Sequence, residues 1–432
     1  MRRTSDDVRS GLAQLRSSEF IRQGVLVFGA TTFVNAAGFV YHMIASRTLG
    51  VAEYGTLYAL LSVMSLVSAP ASVVMPVITR FAAEFRALDD WAHLRGLAVG
   101  LARAFGLVAL VTIAVAALAA VPLGGALHAP AWSIPVVVVL LAIVLASTAY
   151  RALAQGVQDF DGYSISAVVE GIAKVAATLL FIAIGWRFFG ALAGFIVGSL
   201  AGGAFMVYRT VGSVLKYPEE PLRYDWRRIA VAGAGSVALT VAIAILGNVD
   251  VIVVKHAFDA HQAGIYSAAS LGGKILLFGF SFVPAVLLPQ AADRRARGER
   301  TRGILALCVA MVVALGAIGL VLLRFFGLTL LHVLVGPKFD AADGLLVWYG
   351  AAMTLVALVN VLGSYGIATH RLAFGWSLLA GSLLTGVAIA IYHPTLLAVV
   401  IVLVAGTAVT TVATGASTVI QGLYADRMRA AA

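Results

Sequence analysis

The sequence predicts an all-α integral membrane protein with twelve transmembrane helices in two lobes of six. Three observations support this prediction: the composition, the number of long apolar segments, and a repeat between the two halves of the chain. Of the 432 residues, 61% are hydrophobic and 12% are charged, and the mean hydropathy is +0.98. A soluble chain of this length needs far more polar surface, so the composition indicates a polytopic membrane protein.

The apolar segments define the predicted spans, because a helix needs about 20 apolar residues to cross the hydrocarbon core. The spans read from the sequence are 23–46, 56–79, 96–121, 132–150, 163–185, 188–208, 229–255, 264–288, 302–323, 342–366, 373–392 and 395–423. Tight hairpin turns are expected at Trp186–Phe188, between spans five and six, and at His393–Pro394, between spans eleven and twelve.

Two pairs of similar segments indicate an internal repeat. Gly38–Gly55 and Gly247–Gly264 both begin and end on glycine and are offset by 209 residues. Gly162–Ser164 and Gly375–Ser377 each open the fifth span of their half, at an offset of 213 residues. Because six spans separate the copies, both halves enter the membrane in the same direction. Parallel repeats of this kind are related by an axis along the membrane normal, with the substrate site near the midplane between them.

Prolines interrupt two spans that correspond to each other in this repeat. Pro70 and Pro76 lie in span two, and Pro284 and Pro289 lie in span eight. Proline removes a helical hydrogen bond and kinks the helix, so we expect both spans to be broken.

The domain boundaries follow from the repeat and from a polar segment at its centre. That segment contains prolines and mixed charges, which are typical of a linker. The predicted parts are a cytoplasmic N-terminal segment 1–22, an N-lobe 23–208, a cytoplasmic linker 209–228, a C-lobe 229–423 and a cytoplasmic tail 424–432.

The basic residues predict the orientation. With the N-terminus inside, the inner segments, including the loop that holds Arg151, carry 22 of the 30 Lys and Arg residues, and three fall within spans. The outer loops carry 5: Arg47, Arg187, Lys255, Arg324 and Lys338. This bias predicts that both termini are cytoplasmic. The net charge of +10 is then explained by basic loops that face anionic lipid, and nucleic acid is not expected as a partner. The polar, Arg-rich N-terminus does not resemble a cleavable signal.

No sequence motif indicates an enzyme. The sequence contains no nucleophile elbow, no phosphate-binding loop and no metal-ligand cluster, and we expect no cofactor apart from a coupling H⁺ or Na⁺. Its single cysteine, Cys308, cannot form an intrachain disulfide. Five histidines fall at predicted water-facing ends of the spans, where a solvated role is expected: His93, His128, His256, His261 and His393.

Charged residues within the spans are the candidate site residues, since a charge in hydrocarbon is costly and usually marks a cavity, a partner or an ion path. Arg103, Lys174 and Lys274 are basic, and Glu170 and Asp250 are acidic. Glu170 and Lys174 are spaced i,i+4, so they share a helix face and either neutralise each other or line a wet cavity. Asp250 and Lys274 flank one hairpin; they either pair, or Asp250 is a free proton or sodium site.

Four stretches of the chain carry a resemblance to a known family. They are Arg47–Tyr58, Asn248–Ile252 with Ala263–Tyr266, Leu334–Asp343 and Gln155–Phe160. In these stretches the chain resembles polysaccharide biosynthesis proteins of the O-antigen flippase (Wzx-type) family, within the multidrug/oligosaccharidyl-lipid/polysaccharide (MOP) exporter superfamily. This superfamily also contains lipid II flippases and multidrug and toxic compound extrusion (MATE) antiporters.

The resemblance implies a MATE-like fold with two six-helix lobes around a central cavity that opens alternately to each side. It also implies transport of a polyprenyl-pyrophosphate-linked oligosaccharide from the inner to the outer leaflet of the cell membrane, with ion counter-transport. Other polysaccharide assembly proteins are possible partners in this reading. The slight basic excess within the spans suits a pyrophosphate, which needs cationic donors. Cation-coupled multidrug extrusion is the alternative, because Asp250 could serve as its carboxylate. The short outer loops disfavour a sugar transferase or polymerase.

Overall fold

The computed structural model describes residues 3–70, 74–214, 216–220, 226–297, 301–369 and 374–431. Within these residues the chain forms α-helices joined by short turns, with a 3₁₀ helix at Pro337–Ala342. The α-helices, numbered α1 to α15 in chain order, are Arg3–Thr48, Val51–Ser68, Val74–Ala87, Trp91–Leu118, Ala120–Ala126, Ser133–Gly156, Phe160–Ala183, Arg187–Val214, Trp226–Ala257, Ala260–Gly279, Phe282–Ala296, Arg302–Leu334, Asp343–Ala368, Phe374–Ile391 and Leu396–Ala431.

Twelve helical segments of the described chain are long and apolar enough to cross a membrane. Each overlaps one of the twelve predicted spans, so the predicted all-α membrane architecture is confirmed. The ends differ most in span two, which runs over Val51–Ser68, and in span nine, which continues to Leu334. Large apolar side chains remain exposed along these helices, as a lipid-facing surface requires; on α12 they include Leu307, Val313 and Phe325.

The two proline-containing spans are broken, as predicted, and each break lies before a proline. The expectation that Pro289 also interrupts span eight is wrong, because α11 continues through it from Phe282 to Ala296. The first helix of span two ends at Ser68 and the next begins at Val74. In span eight, α10 ends at Gly279 and α11 begins at Phe282. Pro76 and Pro284 are therefore each the third residue of a new helix. In a first helical turn the missing proline N–H has no intrahelical acceptor to lose, so both prolines are tolerated there.

Both expected hairpin turns are present. Between α7 and α8, Gly185 adopts a positive φ of 93°, which glycine tolerates without a Cβ clash. The chain then turns, and the Trp186 N–H donates to the Phe181 carbonyl at 2.9 Å. The second turn, at His393–Pro394, separates α14 from α15.

The helices form two compact units that are not contiguous in sequence. Unit 1 comprises Met1–Ile44, Met75–Ala114 and Val138–Tyr224. Unit 2 comprises Ala45–Val74, Val115–Val137 and Asp225–Ala432. Helix α2 comes from the N-terminal half of the sequence but belongs to unit 2, where it packs against α9 and α10. The lobe boundaries at residues 23–208 and 229–423 remain predictions.

The closest helix packing in unit 1 joins α7 to α8. Helix α8 carries glycine at every fourth position from Gly190 to Gly202. A Cβ added to Gly198 would lie 2.5 Å from the Cβ of Lys174 and 2.7 Å from its Cα, so only glycine fits at this position. Small residues at this spacing allow two membrane helices to approach closely. The same spacing brings the polar side chains of α7 against the backbone of α8.

Helix α13 forms the centre of unit 2. It packs against α9, α10, α11, α12 and α15, and most of its residues are buried. The N-terminus of α10 is fixed by Asp259, whose carboxylate accepts hydrogen bonds from the backbone N–H groups of His261 and Gln262. An aspartate at this position satisfies helix donors that lack an intrahelical acceptor.

Some basic residues that the sequence analysis assigned to loops lie inside helices, because these helices extend beyond the apolar segments. Arg151 was counted in an inner loop, but α6 continues to Gly156 and includes it. Lys255 was counted in an outer loop, but α9 continues to Ala257 and the side chain of Lys255 is buried. Arg47 and Arg324 were also counted in outer loops, and they lie within α1 and α12. The cytoplasmic orientation of both termini remains a prediction.

The predicted linker is partly helical, and part of it packs on α4. Residues 209–214 belong to α8 and 226–228 to α9, while residue 215 and residues 221–225 lie outside the described residues. In the segment 216–220, Tyr217 stacks on Trp91, with ring centroids 5.5 Å apart. Its carbonyl accepts a hydrogen bond from Arg95. The linker is therefore held against the first turns of α4.

Candidate substrate and ion sites

A buried ion cluster in unit 1 contains two of the predicted site residues. We call Arg151, Glu170 and Lys174 the Glu170 cluster. Glu170 Oε2 lies 2.7 Å from Arg151 Nη2, and Glu170 Oε1 lies 3.6 Å from Lys174 Nζ. The exposed fraction of the side chain is 14% for Arg151, 10% for Glu170 and 6% for Lys174. The three charged groups are therefore largely removed from solvent. The predicted i,i+4 pairing of Glu170 with Lys174 is confirmed.

Polar and aromatic contacts from α7 and α8 hold this cluster. Arg151 Nε donates to Ser166 Oγ at 2.9 Å, and that hydroxyl donates to the Gly202 carbonyl at 2.8 Å. Lys174 Nζ lies 4.1 Å from the centroid of the Phe195 ring, within the range of a cation–π interaction. The cluster contains two cationic groups and one carboxylate, and therefore carries one excess positive charge.

The sequence analysis missed Arg151 as a member of this cluster. It assigned the residue to a loop because the apolar run of span four becomes less regular near Tyr150. A signal was present, since Ala152, Leu153 and Ala154 follow Arg151 and all three are buried. An arginine followed by another apolar stretch indicates that the helix continues past the charge.

The structure places Arg103 apart from the Glu170 cluster. Its guanidinium contacts both carboxylate oxygens of Glu219, at 2.9 and 3.4 Å, and its side chain is 71% exposed. Arg103 and Lys174 therefore belong to different ion-pair groups. The segment 216–220 lies along α4 and supplies the carboxylate that neutralises Arg103. The expectation that Arg103 lines a substrate cavity remains a prediction. The arginine that contacts Glu170 is Arg151.

A second buried cluster, in unit 2, surrounds Asp250. We call Asp250, Tyr58, Tyr266, Ser270 and Tyr349 the Asp250 cluster. Asp250 has no solvent exposure, and its Oδ2 accepts a hydrogen bond from Tyr266 Oη at 2.7 Å. Its Oδ1 is buried and has no hydrogen-bond partner among the described residues. Ser270 Oγ donates to Tyr349 Oη at 2.8 Å and lies 3.1 Å from Tyr58 Oη.

The hypothesis that Asp250 pairs directly with Lys274 is wrong. Lys274 Nζ donates instead to Asn248 Oδ1 at 3.2 Å and lies 5.1 Å from the centroid of the Tyr58 ring. Within the described residues, no ion pair of 4.0 Å or less joins Lys274 to Asp250. Asn248 precedes Asp250 by two residues on α9, and its amide oxygen is the atom that accepts a hydrogen bond from the Lys274 ammonium.

A further buried cation, which the sequence analysis missed, lies in unit 2. Lys255 is 1% exposed, and its Nζ donates to Thr56 Oγ1 at 2.8 Å. This hydrogen bond joins α9 to α2. The position of Lys255 next to His256 at the end of an apolar run made it resemble a loop residue. Its burial depends on α2, which precedes it by about two hundred residues in the chain.

The two clusters differ in the chemistry that they support. The Glu170 cluster combines a planar guanidinium and an ammonium with one carboxylate, a set that can bind an anion. The Asp250 cluster offers a carboxylate among hydroxyl groups, a set that can accept a proton or a small cation. In the described part of the chain, no three His, Cys, Asp or Glu side chains come close enough together to hold a metal ion.

A comparison with known families shows the relationship that these features indicate. The profile of the polysaccharide biosynthesis protein family matches residues 21–293, which is more than half of the chain and includes both Glu170 and Asp250. This chain belongs to the polysaccharide biosynthesis protein family. No curated protein matches the chain significantly.

Solved structures of MOP superfamily transporters share the fold of this polysaccharide biosynthesis protein. An inward-facing multidrug resistance MATE family transporter of the MOP superfamily matches with a TM-score of 0.75 and 13% identity, covering 92% of this chain and 94% of that chain. The lipid II flippase MurJ, in an inward closed conformation, matches with a TM-score of 0.66 and 13% identity, covering 91% and 87%.

A MOP superfamily transporter from Pyrococcus furiosus matches with a TM-score of 0.59 and 12% identity, covering 95% and 94%. At these identities the structural matches establish a MATE-like fold for this chain. Family and fold together support a multi-pass membrane transporter.

Proposed function

We propose that this protein moves a polyprenyl-pyrophosphate-linked oligosaccharide from the inner to the outer leaflet by alternating access, coupled to an ion. The observation that carries this proposal is the excess positive charge of the buried Glu170 cluster. Membership of the polysaccharide biosynthesis family supports a glycan as the cargo. The fold shared with a lipid II flippase supports a cargo that is attached to a lipid.

The chemistry of the Glu170 cluster suits a pyrophosphate. An arginine fork binds two phosphate oxygens at once, and a lysine adds a point charge. Glu170 contacts both Arg151 and Lys174. An incoming pyrophosphate would compete with this carboxylate for the two cations. The competition keeps the anion from binding so tightly that it cannot leave, and a transporter must release its cargo.

Asp250 is the proposed ion-coupling residue. Its unbonded Oδ1 leaves a buried carboxylate only partly satisfied, and burying such a group is costly. Binding an H⁺ or Na⁺ at this carboxylate would reduce the cost. The energy of ion entry could then be used to change the conformation of the protein. Lys274, which donates a hydrogen bond to Asn248, is kept as a further proposed cargo-binding residue of unit 2.

The proposed location is the inner or plasma membrane of the cell, with both termini in the cytoplasm. Cysteine labelling tests this orientation on a Cys308→Ala background. Lys216→Cys is expected to react only after the membrane is permeabilised, because residue 216 lies in the predicted cytoplasmic linker. Asp340→Cys, on the 3₁₀ helix, is expected to react in intact cells. The reverse labelling pattern would overturn the orientation. Other polysaccharide assembly proteins are its proposed partners.

Reconstitution in liposomes tests the cargo. We expect the protein to move a fluorescent polyprenyl-pyrophosphate sugar between leaflets, and Arg151→Ala or Lys174→Ala to abolish this movement. Arg151→Lys, which keeps the charge but loses the fork, should retain part of it. Arg324→Ala is the matched control, since it removes an exposed arginine of α12. Full activity in the Arg151→Ala, Lys174→Ala double variant would overturn the proposal. Arg103→Ala, measured in parallel, shows whether the exposed pair with Glu219 contributes.

Cation-coupled multidrug extrusion is the second candidate, and the buried carboxylate of Asp250 is the observation that favours it. A cationic drug needs a carboxylate, and a MATE transporter shares the fold. Efflux of a cationic dye from the same liposomes distinguishes the two. Dye efflux that requires Asp250, without movement of the lipid-linked sugar, would replace the proposed cargo with a cationic drug.

A further inference from the structure

We propose that the coupling ion is a proton and that it reaches Asp250 along the hydroxyl groups of Tyr58, Ser270 and Tyr349. This inference rests on the proposed function, because it names the ion for the coupling residue. The three hydroxyls come from different helices, α2, α10 and α13 respectively. They form a continuous hydrogen-bonded series inside unit 2.

The geometry gives this series its order. Tyr58 Oη lies 3.1 Å from Ser270 Oγ, and Ser270 Oγ donates to Tyr349 Oη at 2.8 Å. Because Tyr349 accepts from Ser270, its own proton is not used in that hydrogen bond. The Tyr349 ring packs edge-on against Tyr266, with ring centroids 5.8 Å apart, and Tyr266 bonds Asp250. The last transfer therefore requires Tyr349 Oη to move into hydrogen-bond distance of the unpaired Asp250 Oδ1. Tyr266 donates to the same carboxylate from outside the series. Chains of hydroxyl groups polarise one another, which favours proton transfer along them.

The exposure of these groups indicates where the proton enters. Asp250, Ser270 and Tyr349 have no solvent exposure, whereas Tyr58 is 5% exposed. Lys274 and Asn248, at the same end as Tyr58, are 9% and 8% exposed. The series therefore runs from the more accessible end at Tyr58 to the fully buried carboxylate.

Proton transfer along this series is balanced. A hydronium ion gives a proton to Tyr58 Oη and becomes water, and Tyr58 passes its own proton to Ser270 Oγ. Ser270 passes its proton to Tyr349 Oη, and Tyr349 passes its proton to Asp250, forming an O–H bond on the carboxylate. Each hydroxyl gains one proton and loses one, so the only net change is the protonation of Asp250. The hydroxyls must then reorient before a second proton can follow.

The surroundings of Asp250 favour a proton over sodium. A hard cation takes several oxygen ligands, and the amide oxygen of Asn248, two residues before Asp250, already accepts from the Lys274 ammonium. That ammonium would also repel a bound Na⁺. Among the described residues, the charged or titratable groups that interact with Asp250 are Lys274 and Tyr266 of α10 and Tyr349 of α13. Tyr58 of α2 interacts with Tyr266 and Tyr349. Helix α14, which also packs on α9, carries no titratable side chain, and α15 carries none before Tyr424.

Infrared difference spectroscopy of the full-length protein in liposomes tests this inference without any cargo. After a pH jump, the carbonyl band of a protonated carboxylic acid is expected to appear, and Asp250→Asn should remove it. Tyr349→Phe and Ser270→Ala each interrupt the series and should slow the appearance of this band by about tenfold or more. A control variant away from this cluster should leave the rate within about twofold. Tyr150→Phe, the same change in unit 1, is the control for a buried tyrosine.

Three outcomes would overturn the inference: no Asp250-dependent band at any pH, an unchanged rate in both Tyr349→Phe and Ser270→Ala, or displacement of the band by Na⁺ at constant pH. Ser270→Ala keeps the test decisive if Tyr349→Phe does not fold. These readouts are independent of the glycan. If the band behaves as expected while liposomes show no movement of lipid-linked sugar, the proposed cargo fails and the proton route stands.

Discussion

Gly55 and Gly264 lie against each other in unit 2. A Cβ added to Gly55 would lie 2.7 Å from the Cα of Gly264, closer than any side chain allows. These two glycines occupy equivalent positions in the internal repeat, at the ends of Gly38–Gly55 and Gly247–Gly264. The C-terminal ends of the two repeat segments are therefore in contact, and this contact joins α2 to α10. The Lys255–Thr56 hydrogen bond joins the same part of α2 to α9.

The first prediction concerns this glycine contact. Gly264→Ala places a Cβ against the Val51 backbone and side chain, so we expect it to lower the free energy of unfolding by about 1–3 kcal/mol through overpacking. Gly38 and Gly247, at the other ends of the two repeat segments, have no heavy atom within 4 Å of an added Cβ. Gly38→Ala and Gly247→Ala are therefore the matched controls, and each should be neutral or stabilising by up to ~1 kcal/mol. Unfolding in detergent measures all three, and equal losses would contradict the packing argument.

The second prediction concerns the Glu170 cluster. Glu170→Gln leaves the cations of Arg151 and Lys174 without their shared carboxylate in a buried site. Breaking a buried ion pair in this way costs about 3–5 kcal/mol of stability. Ser199→Ala is the control in the same cluster, because its hydroxyl only contacts Glu170 Oε1 at 3.5 Å, and it should cost less than ~1 kcal/mol. A Glu170→Gln protein as stable as the parent would show that water already screens these charges.

The third prediction separates the partners of Lys274. A double-mutant cycle between Lys274→Ala and Asn248→Ala should give a coupling energy within about 0.5–3 kcal/mol, since the two side chains are hydrogen-bonded. A second cycle, between Lys274→Ala and Asp250→Asn, should give a smaller value, because no ion pair joins these residues. Both cycles use unfolding in the same detergent. A larger coupling with Asp250 would restore the pairing hypothesis.

The fourth prediction is a pH dependence at the start of α4. The backbone N–H of His93 donates to Asp90 Oδ1 at 3.1 Å, and this hydrogen bond, together with the His93 ring, lowers the pKa of Asp90 below its usual value of 3.8. The folded pKa lies below the unfolded one, so the ionised carboxylate stabilises the fold above the unfolded pKa. This contribution is lost as the pH falls through the folded pKa.

Thermal unfolding between neutral pH and about pH 3 measures this effect. Asp90→Ala should lower the melting temperature at neutral pH and converge with the parent protein at the acid end. Glu84→Ala, an exposed acidic residue of α3, is the control and should show no such convergence. Parallel curves for Asp90→Ala and the parent protein would rule out the contribution of the Asp90 carboxylate.

The sequence by itself determined the features that depend on local composition. Long apolar runs locate the spans because each must cover the hydrocarbon core with one helix. Pro76 and Pro284 mark new helices because proline is best tolerated in the first turn of a helix, where its missing N–H has no intrahelical acceptor to lose. The spacing of Glu170 and Lys174 on one helix predicted their contact, because neighbours at i,i+4 meet without help from the rest of the fold.

Only the tertiary structure decided which side chains of different helices meet. Arg151 forms an ion pair with Glu170. Lys255 donates a hydrogen bond to Thr56, and Lys274 donates one to Asn248 rather than to Asp250. Each choice depends on how far a helix extends and on its rotation about its axis. Helix packing sets the length and the rotation of each helix. It does so through contacts between residues that are distant in sequence, such as Gly198 against Lys174. A hydropathy pattern records that a residue lies in a helix, but it does not record which neighbour that residue faces.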